Sequence, residues 1–370
     1  MRRALSLAAG LVIVGVIAGG CVTTKGDRAT SLKTSKAPAW SLKANQDEMI
    51  VAVSPVRQSV QILGSSAAIL GAGIDAIAND RHRKAIREAL TGYDAGKVFE
   101  ERIQKRLVEA TPNLKRVAPV GSTAGKQSLD EVQKERYAKL AKGGADTLLD
   151  VKMTYGLFGY EGLLVTKLEG TLKLVPEGRE LWGDTIVVSA EPILAHDKLS
   201  DPTNTLGPNL SSPRLSADDN AISKWTGDGG KTVRARFEAS VDGVVSALLC
   251  DLGVAHEASG EYYLGKMAMN RKRFEDANVY FENALKLDPN YVDAENGRAV
   301  NLAHNKQVDK AIELARGITV AHPDYGPAWF NLAWWYATDK KDAAQAKECY
   351  EKARALGMPE ESRIEKAAGK

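Results

Sequence analysis

The sequence predicts an α+β protein, in which an α/β sandwich with a largely antiparallel sheet is followed by an all-α domain of helical repeats. The first observation is an alternation of short apolar runs with amphipathic helical segments over residues 46–255. The second is an internal repeat, because Pro289 and Pro323 stand 34 residues apart, each after a helical pattern. We therefore expect folded domains at residues 46–255 and 256–356, and a C-terminal tail at 357–370.

The first twenty residues have the pattern of an export signal. Arg2 and Arg3 precede an almost wholly apolar run over residues 5–18, and small residues then lead to Cys21. A charged start, an apolar centre and a small-residue exit are typical of a secretory signal peptide. The apolar run is short for a membrane span, which needs about 20 residues. Residues 1–20 are therefore expected to be a signal peptide.

Because this segment ends on a cysteine, it resembles the signal of a bacterial lipoprotein. The resemblance implies that Cys21 carries lipid, including palmitate, and becomes the first residue of the mature chain. Val22 follows the cysteine, where Asp would favour the inner membrane, so the resemblance implies an outer-membrane anchor with the body facing the periplasm. Ala18 stands where Leu is usual in such signals, and an ordinary signal peptide or an uncleaved anchor is the alternative.

The elements of the α/β domain are expected to follow a flexible, lipidated tether at residues 21–45. That stretch is rich in Thr, Ser, Lys and Gly and has little apolar periodicity. Strands are expected at residues 49–54, 114–120, 147–155, 163–175 and 180–189. Helices are expected at residues 81–110, from a capping box of Ser128 and Glu131 onward, and at 232–252. Gly178 marks a hairpin between the last two strands, and residues 196–231 are expected to be a long polar loop.

Three segments give this domain a family resemblance: "IVAVSPV", "FEERIQKRL" and "GADTLLDVKMTYGL". With them the domain resembles the periplasmic domain of curli-secretion and penicillin-binding-protein-activator lipoproteins. The resemblance implies a protein that secretes, scaffolds or activates envelope machinery and has no catalytic activity of its own. No binding residue of that family carries over to a numbered position in this chain.

Residues 60–78 depart from the simple alternation of strands and helices. The segment carries one charge, Asp75, and small residues recur in it every four positions, at Gly64, Ala68, Ala72 and Ala76. Such a stripe lets helix backbones approach one another closely. One interpretation is a buried helix packed on the sheet, which Asp75 favours. The other is a hairpin that contacts a membrane or joins copies of the chain.

The C-terminal repeat has a specific residue pattern. The first unit, which ends at Pro289, contains a Leu-Gly pair followed by the spacing A-x3-F-x2-A, in the residues Leu264, Gly265, Ala277, Phe281 and Ala284. This pattern resembles the tetratricopeptide repeat (TPR), in which a small residue lets two helices pack closely and an aromatic residue fills the space to the next repeat. The unit ending at Pro323 is a degenerate match, and a third begins near Trp329. The resemblance implies about three TPR-like repeats.

Stacked helix pairs of this kind form a groove that is lined by the first helix of each pair. In this register the side chains expected to line it are Tyr262, Lys266, Met269, Asn296, Val300, Phe330 and Trp334. Aromatic and Met side chains with a few polar neighbours suit an extended peptide or a helix of a partner protein. The alternative is that Phe330 and Trp334 pack on a neighbouring domain or on the tail of the same chain.

Composition and motifs argue against several classes of function. Without Arg2 and Arg3 the chain carries 48 basic and 47 acidic residues, a balance that gives no reason to expect nucleic acid as a partner. The histidines show no metal-ligand pair such as H-E-x-x-H, and no catalytic signature occurs. We therefore expect no catalytic residue, no metal and no cofactor. With Cys21 lipidated, Cys250 and Cys349 are expected to be free thiols.

Two functions from different classes fit this sequence. The first is a lipid-anchored cell-envelope scaffold or assembly protein, not an enzyme, that binds envelope proteins or peptides through the TPR-like groove. The second is an oligomeric outer-membrane secretion or export component built from the α/β domain, with residues 60–78 or the strands over 147–189 in a membrane. A pore requires a closed ring of copies, so homo-oligomerisation stays open at this stage.

Overall fold

The computed structural model of the chain describes Leu32 and residues 34–44, 46–52, 80–120, 128–158, 162–189, 191–197 and 219–369. The predicted signal peptide, the lipidation site Cys21 and the small-residue segment 60–78 lie outside the described residues. Within them the predicted fold class is confirmed, because a sheet flanked by helices is followed by a run of paired helices.

Six described strands form one sheet in the order β3-β1-β4-β5-β6, with β2 beside β4. The strands are β1 (Pro38–Ala44), β2 (Ile50–Ala52), β3 (Lys115–Arg116), β4 (Thr147–Phe158), β5 (Leu163–Leu174) and β6 (Glu180–Ser189). The three longest, β4, β5 and β6, pair antiparallel as expected, whereas β1, β2 and β3 pair in parallel. Gly178, with φ of 70°, lies in the turn between β5 and β6, in a conformation that favours glycine.

The last part of the predicted tether is a strand. β1 pairs with β4 along its whole length, from Pro38 opposite Thr147 to Ala44 opposite Met153. Trp40 in its centre is fully buried. The expectation of a flexible segment through residue 45 was therefore wrong for this stretch. Its average composition is that of a linker, but the burial of one large aromatic side chain in the sheet helps to offset the entropy lost on ordering the strand.

The helices of the α/β domain lie on both faces of this sheet. They are α1 (residues 80–89), α2 (Ala95–Ala110), α3 (Leu129–Lys142), α4 (Asp219–Thr226) and α5 (Lys231–Asp251). α1, α2, α4 and α5 share the main core with Trp40 and Leu149. On the opposite face of the sheet, Tyr137 of α3 packs with Ala39 and Leu148. These two residues adjoin Trp40 and Leu149 in sequence, and alternate residues of a strand point to opposite faces.

Two helical expectations differ from the structure. The single helix expected over residues 81–110 is interrupted between α1 and α2, where Gly92 has φ of 74° and Asp94 caps α2 by accepting from the Lys97 amide at 2.9 Å. The polar loop expected at residues 196–231 contains α4, which buries Ile222 and Trp225 on one face. The capping box predicted at Ser128 and Glu131 is confirmed.

Paired helices fill the C-terminal part of the chain. They are α6 (Ala258–Asn270), α7 (Phe274–Leu287), α8 (Val292–His304), α9 (Val308–Ala321), α10 (Gly326–Trp335) and α11 (Ala343–Ala355), followed by α12 (Ser362–Ala367). A π-helical turn, Tyr336–Lys340, extends α10 where the sequence has one extra residue. In the C-terminal tail, Ile364 of α12 is fully buried and the tail packs on the last pair. Among the described residues, no helix has both the length and the apolar character required to cross a membrane.

The repeats pack directly on the α/β domain. Leu264 and Met267 of α6 belong to the same core as α5 and the sheet. Two glycines allow the close approach: a Cβ at Gly243 of α5 would lie 2.4 Å from the ring of Tyr263, and one at Gly260 of α6 would lie 2.5 Å from the sulfur of Cys250. The first helix of the repeats therefore contributes to the core of the α/β domain, while the remaining repeat helices form an apolar cluster of their own.

Candidate functional site

The concave side of the repeats holds a stretch of the chain itself. After β6 ends at Ser189, residues 191–197 lie against the first helices of the helix pairs, α6, α8 and α10. We call these residues the groove segment. No helix or strand includes them. Ile193 and Leu194 are nevertheless buried, in the same apolar cluster as the repeat helices, so the repeats hold this segment by their side chains.

Two buried asparagines recognise the backbone of the groove segment. Asn296 of α8 donates from Nδ2 to the carbonyl of Ile193 at 2.8 Å. The backbone amide of Ala195 donates to Oδ1 of Asn331 on α10 at 2.7 Å. Both asparagine side chains belong to residues with no exposed surface. These bonds require a free carbonyl and a free amide two residues apart in the peptide backbone, and they read no side chain.

A lysine extends this recognition to the start of the segment. Lys266 of α6 donates from Nζ to the Glu191 carbonyl at 2.7 Å and to the Ser189 carbonyl at 3.3 Å. Desolvation by burial lowers the pKa of Lys266, while the nearby carboxylates of Asp197 and Glu191 act in the opposite direction. The two carbonyls and the carboxylates thus compensate an ammonium group that has lost part of its water.

Apolar and aromatic contacts fix the side chains of the groove segment. Gly297 makes room for Ile193, because a Cβ at that position would lie 3.2 Å from Cδ1 of Ile193. The His196 ring lies 5.0 Å from the Phe330 ring and 5.8 Å from the Trp334 ring, centroid to centroid. The segment therefore enters the groove with an aliphatic side chain in its centre and an aromatic one at its end.

The predicted groove residues are thus found around a single occupant. Lys266 and Asn296 bond to the groove segment, and Phe330 and Trp334 contact its histidine. The other three, Tyr262, Met269 and Val300, are buried in the apolar cluster that contains Ile193. Packing on the same chain, the alternative left open for Phe330 and Trp334, is what the described residues show. Binding of a partner in this groove stays a prediction.

Sequence reasoning missed Asn331 and the groove segment. Asn331 adjoins the predicted position Phe330, and a polar residue within the apolar "AWFNLAWW" run of α10 is the available signal. The groove segment, "EPILAHD", places two aliphatic residues between a strand and a polar stretch. That pattern indicates burial without indicating which surface buries it.

Other chemistry is limited in the part of the chain that the structure describes. Cys250 and Cys349 are buried thiols. The Cys250 sulfur accepts from the Glu257 amide at 3.3 Å, and burial raises the pKa of the Cys349 thiol to about 11. The described residues contain no group of three or more His, Cys, Asp or Glu side chains placed to hold a metal ion.

Comparison with known proteins supports the repeats alone. A search of the curated proteins finds no match to the chain. A family model described as Tetratricopeptide repeat matches residues 268–333, from the last turn of α6 into α10. The match includes Ala277, Phe281 and Ala284 of the predicted repeat pattern, and repeats of this type are protein-interaction modules that are typically without catalysis. The C-terminal part of the chain is therefore a TPR-like region suited to protein–protein interaction.

Proposed function

We propose that this chain is a lipid-anchored protein of the cell envelope that binds a partner protein through the groove of its TPR-like repeats. Cys21 carries the anchor, and the envelope is the compartment in which the partner is met. The export component considered above depends either on residues 60–78, which lie outside the described residues, or on entry of the strands over 147–189 into a membrane, and it is not proposed.

The observation that carries this proposal is the occupied groove. Asn296, Asn331 and Lys266 present donors and an acceptor to the backbone of a non-helical segment, at distances of 2.7 to 2.8 Å for the three shortest bonds. Peptide-binding repeats need this arrangement, because backbone hydrogen bonds supply affinity while apolar pockets select side chains. The buried Ile193 and Leu194 of the groove segment support a ligand with two adjacent aliphatic residues.

The experiment is site-specific photo-cross-linking of the full-length chain in its own cells. The cross-linking residue replaces Trp334 at the groove, Val320 on the exposed outer side of the repeats, or Lys105 on the exposed side of α2. One protein captured repeatedly from Trp334, and not from Lys105, supports the proposal. Capture from Lys105 alone, or of copies of the chain alone, contradicts it.

A matched pair of variants then assigns the captured protein to the groove. Trp334→Ala removes an aromatic side chain that contacts the groove segment, and Val279→Ala shortens a half-exposed side chain on α7. Recovery of the partner is expected to fall with Trp334→Ala and to stay unchanged with Val279→Ala. Equal recovery from both variants would place the binding site elsewhere.

A further inference from the structure

We infer that the groove segment is a resident competitor, and that the partner is a peptide with two adjacent aliphatic side chains that takes its place. This inference rests on the proposed function and names the chemistry of the partner. The binding-competent state of the repeats is then the one in which residues 191–197 have left the groove.

The first step is the nature of the hydrogen bonds. Every bond from Lys266, Asn296 and Asn331 to the groove segment ends on a backbone atom. A second peptide can reproduce them all, provided that it presents two carbonyls and one N–H at the positions of Glu191, Ile193 and Ala195. The groove therefore does not distinguish its own segment from another chain by polar contacts.

The second step is the selectivity of the apolar contacts. Ile193 and Leu194 are 2% and 9% exposed, whereas Asp197 is exposed. The groove therefore accommodates two adjacent aliphatic side chains. A charged side chain in the same place would lose its hydration without gaining a polar partner. The aromatic pair of Phe330 and Trp334 then accepts a planar side chain two residues after Leu194, where His196 lies.

The third step concerns the contacts that are lost when the groove segment leaves the groove. The groove segment lies outside the sheet, since β6 ends at Ser189, so its departure breaks no described strand pairing. Its own backbone makes a turn in which the Asp197 amide donates to the Leu194 carbonyl at 3.1 Å. What holds it is a small set of groove contacts, and an equivalent peptide in trans recovers those contacts.

The fourth step is competition. A segment of the same chain is present at an effective concentration of about millimolar or more, so a partner must bind more tightly or be held nearby. Anchoring at one membrane surface supplies such proximity for envelope proteins. While residues 191–197 occupy the groove, weakly binding peptides are then excluded, and a matching peptide binds when its local concentration is high.

The test uses the full mature chain and a fluorescent synthetic peptide of residues 191–197, with a scrambled peptide of the same composition beside it. Fluorescence anisotropy measures the dissociation constant for the wild type and for Ile193→Ser/Leu194→Ser, in which the resident segment has lost its aliphatic side chains. We expect the double variant to bind the peptide at least about tenfold more tightly than the wild type. The scrambled peptide should show no gain.

Two variants assign that gain to the groove. Val279→Ser/Val320→Ser makes the same kind of change at side chains that are 55% and 83% exposed, and it should bind as the wild type does. Adding Asn331→Ala to the groove-segment double variant should abolish the gain. Equal binding by the wild type and a folded Ile193→Ser/Leu194→Ser variant would overturn the inference, as would a gain that survives Asn331→Ala.

A measurement on the wild type keeps the inference testable if the double variant does not fold. Unlabelled peptide at about 5 mM, a concentration of the same order as the effective concentration of the resident segment, should raise deuterium uptake of residues 191–197 in the protein. Unchanged uptake in the presence of the peptide would overturn displacement. A partner cross-linked from Trp334 with no such effect would leave the proposed function standing and remove this inference alone.

Discussion

Asn331 donates from Nδ2 to Oδ1 of Asn296 at 2.8 Å, and this bond joins two repeats directly, beside the groove segment. Asn296 donates from Nδ2 to the Ile193 carbonyl, and Oδ1 of Asn331 accepts from the Ala195 amide. The two side chains and three residues of the groove segment thus form a closed ring of hydrogen bonds in which every described donor has an acceptor. In a fully buried place such a ring is stable only when complete.

Removal of one member of the ring should therefore destabilise the protein. Asn331→Ala leaves the Ala195 amide without its acceptor and the Asn296 side chain without its donor. Leaving buried polar groups unpaired costs about 1–3 kcal/mol, so the free energy of unfolding should fall by that amount in urea titration. Asn290→Ala, at an exposed loop residue, should change it by less than about 0.5 kcal/mol. Equal effects of the two substitutions would show that the ring contributes nothing to stability.

Two glycines of the repeats should respond in opposite directions to the same substitution. A Cβ at Gly265 would lie 2.8 Å from the Phe281 ring, whereas one at Gly317 would have no atom within 4 Å. Gly265→Ala should therefore lower the free energy of unfolding by about 1–3 kcal/mol through overpacking. Gly317→Ala, within α9, should raise it by about 0.5–1 kcal/mol, because alanine loses less backbone entropy on forming a helix. Thermal melts of both variants check the sign, and a loss of stability in both would contradict this account of α9.

The contact between Gly265 and Phe281 also shows what the sequence could predict. The two residues are close in sequence, and their spacing is repeated along the chain, so local periodicity was sufficient to place them in a helix pair. The capping box of Ser128 and Glu131 and the three long strands followed from equally local patterns.

The ring of Asn296, Asn331 and the groove segment could not be predicted in this way. Its hydrogen bonds to the groove segment join residues more than 100 positions apart, and the groove segment has no periodicity of its own. Burial of β1 was missed for a related reason, because Trp40 is paired with a strand far along the chain. Local patterns predict elements, but they do not predict which surface an irregular segment covers.

Lipid attachment is tested by metabolic labelling. Labelled palmitate should enter the full-length chain, and Cys21→Ala should abolish incorporation, because the thiol is the acceptor. Cys349→Ala is the matched control: it removes a buried thiol whose pKa is raised to about 11 by burial, and incorporation should not change. Equal labelling of the wild type and Cys21→Ala would refute the anchor, and the proposed location in the envelope would lose its basis.

The ion pair between Arg106 and Glu257 should make stability depend on pH. Glu257 joins the start of α6 to α2 and also accepts from Ser246 of α5, so it lies where the repeats meet the α/β domain. Desolvation by burial raises the pKa of Glu257, but the hydrogen bonds from Arg106 and Ser246 outweigh it, and the net shift is downward. A carboxyl whose pKa is lower in the folded state stabilises that state above its unfolded pKa of about 4.3.

That contribution is retained at neutral pH and lost as the pH falls through the folded pKa of Glu257. Urea midpoints between about pH 3 and pH 7 should therefore show the wild type exceeding Glu257→Gln at pH 7, with the difference shrinking below about pH 4.3. Glu109→Gln, at an exposed position of α2, controls for the loss of one carboxylate and should follow the wild-type profile. A difference between the wild type and Glu257→Gln that stays constant across this range would mean that Glu257 acts there by shape and hydrogen bonding, without a contribution from its charge.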